Sequence, residues 1–271
     1  ERVDLDWRGF AALVEGYAGL LAGQGVKAGD RIAVWLPNSV DYLALVFALA
    51  RLAATAVHVN TRFRSNEVGY LLKRSKAATL ITQWGFGPVD FPEILAEISP
   101  EDRSHLARII GRDAAAGAFL GLPVVPLTPQ GAAPDAAEAE AACLTFTTSG
   151  TTSGPKLVLH TQRSVAVHAR DVAAALDMGR AGACALAVVP LCGTFGQTLA
   201  LAGVAAGARV VTMEQFDAAK AGALIRAHRV THTVGGDDML GRIAEAANGE
   251  AFDSLVFSGF ANFTPNAATH I

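Results

Sequence analysis

Long apolar runs are missing from this 271-residue chain. The longest, Tyr42 to Ala50, is about half of the ~20 residues that a membrane-spanning helix needs. No signal-peptide pattern is visible, and no transmembrane segment is expected. A basic excess is missing too. Lys and Arg total 22 against 25 Asp and Glu, a net charge of −3, which leaves no electrostatic footprint for nucleic acid. Cysteine is scarce. Cys143, Cys184 and Cys192 form no Cys-x-x-Cys pair, so they read as reduced core thiols of a cytoplasmic protein, with no metal site. No Gly-x-Gly-x-x-Gly follows the first apolar strand, which argues against a nicotinamide dehydrogenase. No Ser-His-Asp or paired-carboxylate constellation stands out.

What is present is apolar residue, 51% of the chain, in short runs of the kind that strands buried on both faces require. Trp7 to Ala22 carries Phe10, Leu13, Val14, Tyr17, Leu20 and Leu21 at helical spacing. Arg31 to Leu36 reads as a strand, and Asn38 or Ser39 can cap a helix over Val40 to Leu52. A strand over Ala56 to Val59, a helix ending near Ser75 and a strand over Ala78 to Thr82 continue the alternation. Strands alternating with helices of ten or more residues predict a doubly wound α/β fold with a parallel sheet. The pattern weakens over 83–140, although Phe91 to Ile98 reads as a helix and Ala107 to Ile110 as a strand. The Ala-, Gly- and Pro-rich stretch from Gly117 to Glu140 reads as an exposed connector with few core anchors. A second βα series follows. It has strands over Ala183 to Pro190, Arg209 to Met213, Thr231 to Val234 and Leu255 to Phe257. Its helices are Ser164 to Leu176, Gln197 to Ala206, Asp217 to His228 and Met239 to Ala247.

The stretch with the most chemistry is Thr147-Thr148-Ser149-Gly150-Thr151-Thr152-Ser153-Gly154-Pro155-Lys156. Apolar runs flank it, so strand, small-residue loop, strand is the expected geometry. Glycines let backbone N–H groups approach a polyanion, hydroxyls donate hydrogen bonds, and the lysine adds a point charge. A plain surface turn is the other reading of the same residues. It is not a Walker A loop, because Pro155 separates Gly154 from Lys156 and Leu157 stands where Ser or Thr is needed. Elsewhere, His228 and His232 share a spacing of four, but a strand after them denies them a common face, so no metal site is read there. His160 and His168 read as surface groups, and Asp237-Asp238 as a solvated helix start.

The order of segments resembles that of the adenylate-forming enzymes, which include acyl-CoA synthetases, luciferases and peptide-synthetase adenylation domains. Thr148-Ser149-Gly150-Thr151-Thr152-Ser153-Gly154-Pro155-Lys156 is similar to their phosphate loop. Gly29 to Ser39, Ala50 to Asn60, Val188 to Leu191, Gly207 to Val211, Phe216-Asp217 and His228 to His232 follow in the family's order. The resemblance implies two doubly wound βα subdomains of the family's large N-terminal domain. One would span 28–178, and 1–27 with 179–271 would form the other, incomplete. It implies ATP-dependent activation of a small-molecule carboxylic acid as acyl-AMP, then transfer to a thiol, coenzyme A in most of the family. A non-catalytic nucleotide- or acyl-binding module on the same fold is the alternative. Thr148 and Lys156 would be catalytic. The loop from Thr148 to Gly154, with Lys156, would hold the ATP phosphates, and Ser258, Gly259 and Phe260 would wall the adenine. Cys192, Gly193, Thr194, Phe195, Gly196, Gly235 and Gly236 would line the acid pocket.

The chain departs from the family's pattern at Ser153 and Phe260, each in place of a glycine, and at Leu157, where another glycine is usual. Cys192 and Gly193 stand where an aromatic and a histidine are common. The family's magnesium-binding Glu and C-terminal lysine would lie beyond Ile271, so the chain reads as the N-terminal part of a longer enzyme, with the magnesium ligand outside it. The identity of the acid and the oligomeric state stay open.

Overall fold

The computed structural model describes residues 3–148 and 155–261. The chain divides into two compact units, Glu1–Ser164 and Val165–Ile271. In the first unit, helix α1 (Trp7–Gly23) starts at Asp6, whose carboxylate accepts from the Gly9 N–H. Strand β1 (Arg31–Trp35) leads to α2 (Val40–Arg51), capped by Ser39, whose hydroxyl accepts from the Tyr42 N–H at 3.1 Å. Then come β2 (Thr55–His58), α3 (Ser65–Ser75), β3 (Thr79–Gln83), α4 (Phe91–Glu97), β4 (Arg108–Arg112), β5 (Gly117–Phe119), β6 (Leu122–Pro126), β7 (Ala142–Thr148) and β8 (Lys156–Thr161). Among the described residues they form one sheet ordered β5-β6-β4-β3-β1-β2-β7-β8. It is parallel except at the β5–β6 and β7–β8 pairs.

The order fixes the layers. From β1 the chain steps to β2 on one side, then returns across β1 to β3 on the other. Right-handed crossovers therefore put α2 and α3 on opposite faces and leave a topological switch between β1 and β3. On one face α1 packs against α2. On the other, Val68, Leu71 and Leu72 of α3 and Phe91, Ile94 and Leu95 of α4 pack on Ala33, Trp35, Leu80 and Ile109 of the strands.

The stretch 117–140 is largely exposed, as the composition predicts, but it is structured rather than a loose connector. Residues 117–126 form the β5–β6 hairpin. The next residues run over α1 and α2: Gln130 N–H donates to Gly16 O, Ala136 N–H to Arg51 O, and the Arg51 guanidinium to Ala133 O. Gly19 permits the crossing, since a Cβ there would stand 2.2 Å from Gln130 O.

In the second unit, α5 (Gln162–Ala175), which starts just before the division, precedes β9 (Cys184–Ala187), α6 (Thr194–Ala205), β10 (Arg209–Thr212), α7 (Ala218–His228), β11 (His232–Gly236), α8 (Asp237–Ala246) and β12 (Phe257–Ala261). The strands form a parallel sheet ordered β10-β9-β11-β12. Again the chain steps from β9 one way to β10 and returns across β9 to β11. So α6 lies on one face, α7 and α8 pair on the other, and the switch falls between β9 and β11. Ala173, Met178, Leu186, Leu199, Ala221, Ile225, Leu240 and Ile243 share its core. The unit boundaries therefore differ from the predicted 28 and 178/179. Helix α1 belongs to the first unit because it packs on α2, and Ala173 and Met178 belong to the second because they fill its core.

Candidate functional site

The candidate residues gather at the carboxyl edges of the two sheets. In the first unit, β7 and β8 are antiparallel, and their register sets Thr148 opposite Lys156. The two expected strands are present, and both residues are exposed at their adjoining ends. Ser149, Gly150, Thr151, Thr152, Ser153 and Gly154, the body of the predicted phosphate loop, lie outside the described residues. Leu157, where a glycine was expected by resemblance, packs on the apolar cluster beneath.

Two strand positions back from Thr148, an aromatic file supports this hairpin. Tyr42 stacks on His58, His58 lies against Phe146, and Phe146 meets His160 edge-on. His58 Nδ1 is 2.6 Å from the Tyr42 hydroxyl, and Nε2 has no partner. Burial alone pushes the His58 imidazole down from 6.5 to about 3, so it is neutral.

Also at the first sheet's carboxyl edge, a satisfied polar network spans the switch. The Tyr17 hydroxyl donates to Asp41 Oδ1 at 2.5 Å, and Arg112 Nε lies 3.0 Å from Asp41 Oδ2. Arg112 also donates to Gln83 Oε1, and Gln83 Nε2 donates to Asp113 Oδ2 at 2.6 Å. Burial, with the Asp41 carboxylate second, raises the Tyr17 phenol far above its usual range, so it stays protonated and donates.

In the second unit the carboxyl ends of β9, β11 and β12 bring together the other predicted residues. Cys192 is buried, and Gly193 caps α6, its N–H donating to Pro190 O at 3.1 Å. Thr194, Phe195 and Gly196 were expected in a loop but form the first turn of α6. Gly196 lets that turn press on the preceding segment, since a Cβ there would sit 2.6 Å from Pro190 O. Gly235 and Gly236 close β11. Ser258, Gly259 and Phe260, which follow the strand expected to end at Phe257, lie within β12 and pair with β11. Phe195 and Phe260 are each 40% exposed. Sequence reasoning passed over Gln197 on α6, which is buried with both amide atoms unpaired. A single amide in an otherwise apolar helix was the available signal.

Among the described residues no group of three or more His, Cys, Asp or Glu gathers to hold a metal ion. His232 is not free for one: Nδ1 is 2.7 Å from Thr231 Oγ1 and Nε2 is 2.7 Å from Leu176 O. The three cysteines are buried and form no disulfide, and burial pushes the Cys143 and Cys184 thiols up to about 11. Among the described residues no helix is long and apolar enough to cross a membrane.

Two doubly wound sheets, parallel through their cores, define an α/β protein. The family model for AMP-binding enzymes matches residues 1–269, and the chain belongs to that family. It is 31% identical over 223 residues to the long-chain-fatty-acid–CoA ligase FadD13 of Mycobacterium tuberculosis, covering 81% of this chain and 42% of that one. It is 29% identical over 223 residues to a crotonobetaine/carnitine–CoA ligase of Escherichia coli, covering 80% of this chain and 42% of the relative. The chain thus spans less than half the length of these relatives. Its fold is similar to the inhibitor-bound N-terminal domain of FACL13 from Mycobacterium tuberculosis, with a TM-score of 0.81 and 27% identity, over 96% of this chain and 63% of that one.

Proposed function

We propose that the chain carries the ATP- and acid-binding part of an acid–thiol ligase, active as the full-length protein. A carboxylate oxygen of the acid attacks the α-phosphorus of ATP, the bond to pyrophosphate breaks, and acyl-AMP forms. A thiol sulfur, that of coenzyme A, then attacks the acyl carbon and AMP leaves with the electron pair, the thiol proton passing to solvent. The acid is already ionised at neutral pH, so the first step needs no general base. What it needs is positioning and charge stabilisation. In this reading Thr148, Lys156 and the loop from Ser149 to Gly154 hold the phosphates. Ser258, Gly259 and Phe260 flank the adenine, and Cys192, Gly193, Thr194, Phe195, Gly196, Gly235 and Gly236 line the acid pocket. Magnesium, as ATP's companion ion, would draw its protein ligand from beyond Ile271.

The observation that carries the reading is the register that sets Thr148 against Lys156 across a hairpin in a chain of the AMP-binding family. ATP–pyrophosphate exchange by the full-length protein tests it. Lys156→Ala is expected to lower the rate roughly a hundredfold, and an unchanged rate would remove Lys156 from the mechanism. Phe260, half-exposed where the family has a glycine, favours the alternative of a nucleotide- or acyl-binding module without turnover. ATP binding by calorimetry, with no exchange for any acid, would favour that module.

A further inference from the structure

The amino edge of the second sheet, opposite the edge that carries the predicted site residues, holds a cavity of its own. The strands start together there. Arg209, the first residue of β10, pairs with Cys184, the first of β9, and its N–H donates to Ala183 O at 3.1 Å. The Thr231 N–H, just ahead of β11, donates to Cys184 O at 2.8 Å. These bonds fix the residues that lead into the strands. Gly182, Ala183, Cys184, Arg209, His228 and Arg229 line a cavity of about 280 Å³.

Two guanidinium groups and an imidazole thus share one hollow, and no Asp or Glu lines it. Acidic residues outnumber basic ones in the chain, 25 to 22, so the missing counter-charge is not a matter of composition. Among the described residues neither Arg209 nor Arg229 forms an ion pair, whereas Arg226, three residues back on α7, pairs with Glu250 at 3.1 Å. The Cys184 thiol stays neutral and adds no anion. A simpler account is the end of α7, whose carbonyl dipoles favour cations in the last turn. It covers Arg226 and His228. It does not cover Arg209, which comes from another element. Burial raises the Cys184 thiol and the Arg209 charge opposes that rise, so the guanidinium lies near the start of β9. Like charges that converge in a hollow repel one another, and such a cleft concentrates anions.

We propose that this hollow is a binding site for a phosphate-class oxyanion, separate from the acid and adenine residues. β9 is four residues long, which sets the two edges of the sheet about 13 Å apart. Two guanidinium forks match the oxygens of a phosphate and call for a dianion. The volume is close to the ~300 Å³ at which small-molecule pockets begin, so the ligand is a phosphate that carries a small further group: a phosphate monoester or pyrophosphate. A free phosphate compound and the headgroup of an anionic lipid offer the same chemistry. The inference does not depend on the ligase reading above.

The test uses the full-length protein with isotope-labelled histidine, the His228 resonance being assigned with His228→Gln. Glycerol phosphate, pyrophosphate and sodium chloride are titrated at equal ionic strength. The His228 signal is local, so binding at the phosphate loop does not enter it. A saturable shift is expected with glycerol phosphate or pyrophosphate and not with chloride. Arg209→Gln and Arg229→Gln, their folding checked by thermal midpoint, should each weaken that binding about tenfold. Pelleting with vesicles of phosphatidic acid in phosphatidylcholine, against phosphatidylcholine alone, separates the two sources. Pelleting that both variants lose assigns the site to a lipid headgroup, and a saturable shift without pelleting assigns it to a free phosphate compound. Neither a saturable shift nor pelleting, an equal response to chloride, or responses that survive in both variants would overturn the inference.

Discussion

The two sheets share a topology but treat their switch points in opposite ways. At the first, between β1 and β3, charged and polar side chains close on one another. Tyr17 donates to Asp41, Asp41 pairs with Arg112, and Arg112 and Asp113 bracket Gln83. At the second, between β9 and β11, the chain places glycines, an unpaired amide and two exposed aromatic rings. A crevice whose polar groups satisfy one another is a staple, holding α1, α2, β3 and β4 together. A crevice whose polar group is unsatisfied has its hydrogen bonds still to make. Where a ligand binds is thus read less from topology, which both sheets share, than from which polar atoms lack partners.

Four substitutions separate the two halves of that contrast. The largest effect is expected from Gly19→Val, which drives a branched side chain into Gln130 O. A loss of about 3 kcal/mol in urea unfolding, with new protease cleavage between 128 and 137, is expected. Next, Asp41→Ala leaves the Arg112 guanidinium and the Tyr17 hydroxyl without their carboxylate in a half-buried setting. Roughly 2 kcal/mol of stability should go. A midpoint unchanged from wild type would mean the network is ornamental. Third, His58 has a folded value near 3 against 6.5 when unfolded. The unfolded chain therefore binds a proton that the folded chain refuses, so stability present above 6.5 is lost as pH falls towards 3. His58→Phe should flatten that slope by up to one proton, about 1.4 kcal/mol per pH unit. Identical slopes in the two proteins would show that the imidazole does not stay neutral. The smallest effect is expected from Gln197→Met. If the second crevice is a binding site rather than a staple, thermal stability stays level or rises by up to ~1 kcal/mol. A clear loss would mean that the amide has a structural partner.

Much of the fold was legible because hydrophobic period and cap chemistry agreed. Ser39 caps α2 as its position predicts, Asp217 caps α7, and most predicted strands fall within two residues of those observed. Two places misled for definite reasons. The β5–β6 hairpin turns at Leu120-Gly121, both at positive φ, and a leucine there lacks the Asn-Gly signature that announces such turns. Pro123 and Pro126 deepen the disguise. The start of α6 was hidden because Gly193 and Gly196 read as loop, whereas Gly196 is there for close approach to Pro190. At the site, the two strands that end at Thr148 and start at Lys156 were legible from the flanking apolar runs, whereas their antiparallel register was not. The unpaired state of Gln197 was not, because the absence of a partner is a property of the folded surroundings.

The crossing of 129–136 over α1 and α2 has a consequence for anyone who cuts this chain. By composition the Ala- and Pro-rich run looks like the natural place to split the protein, insert a tag or open new termini. Its backbone is tied to Gly16 and Arg51, so a cut there would sever a brace. Tolerance to insertion follows hydrogen bonding rather than composition, and the segment should be inherited whole by any chimera that borrows the first unit.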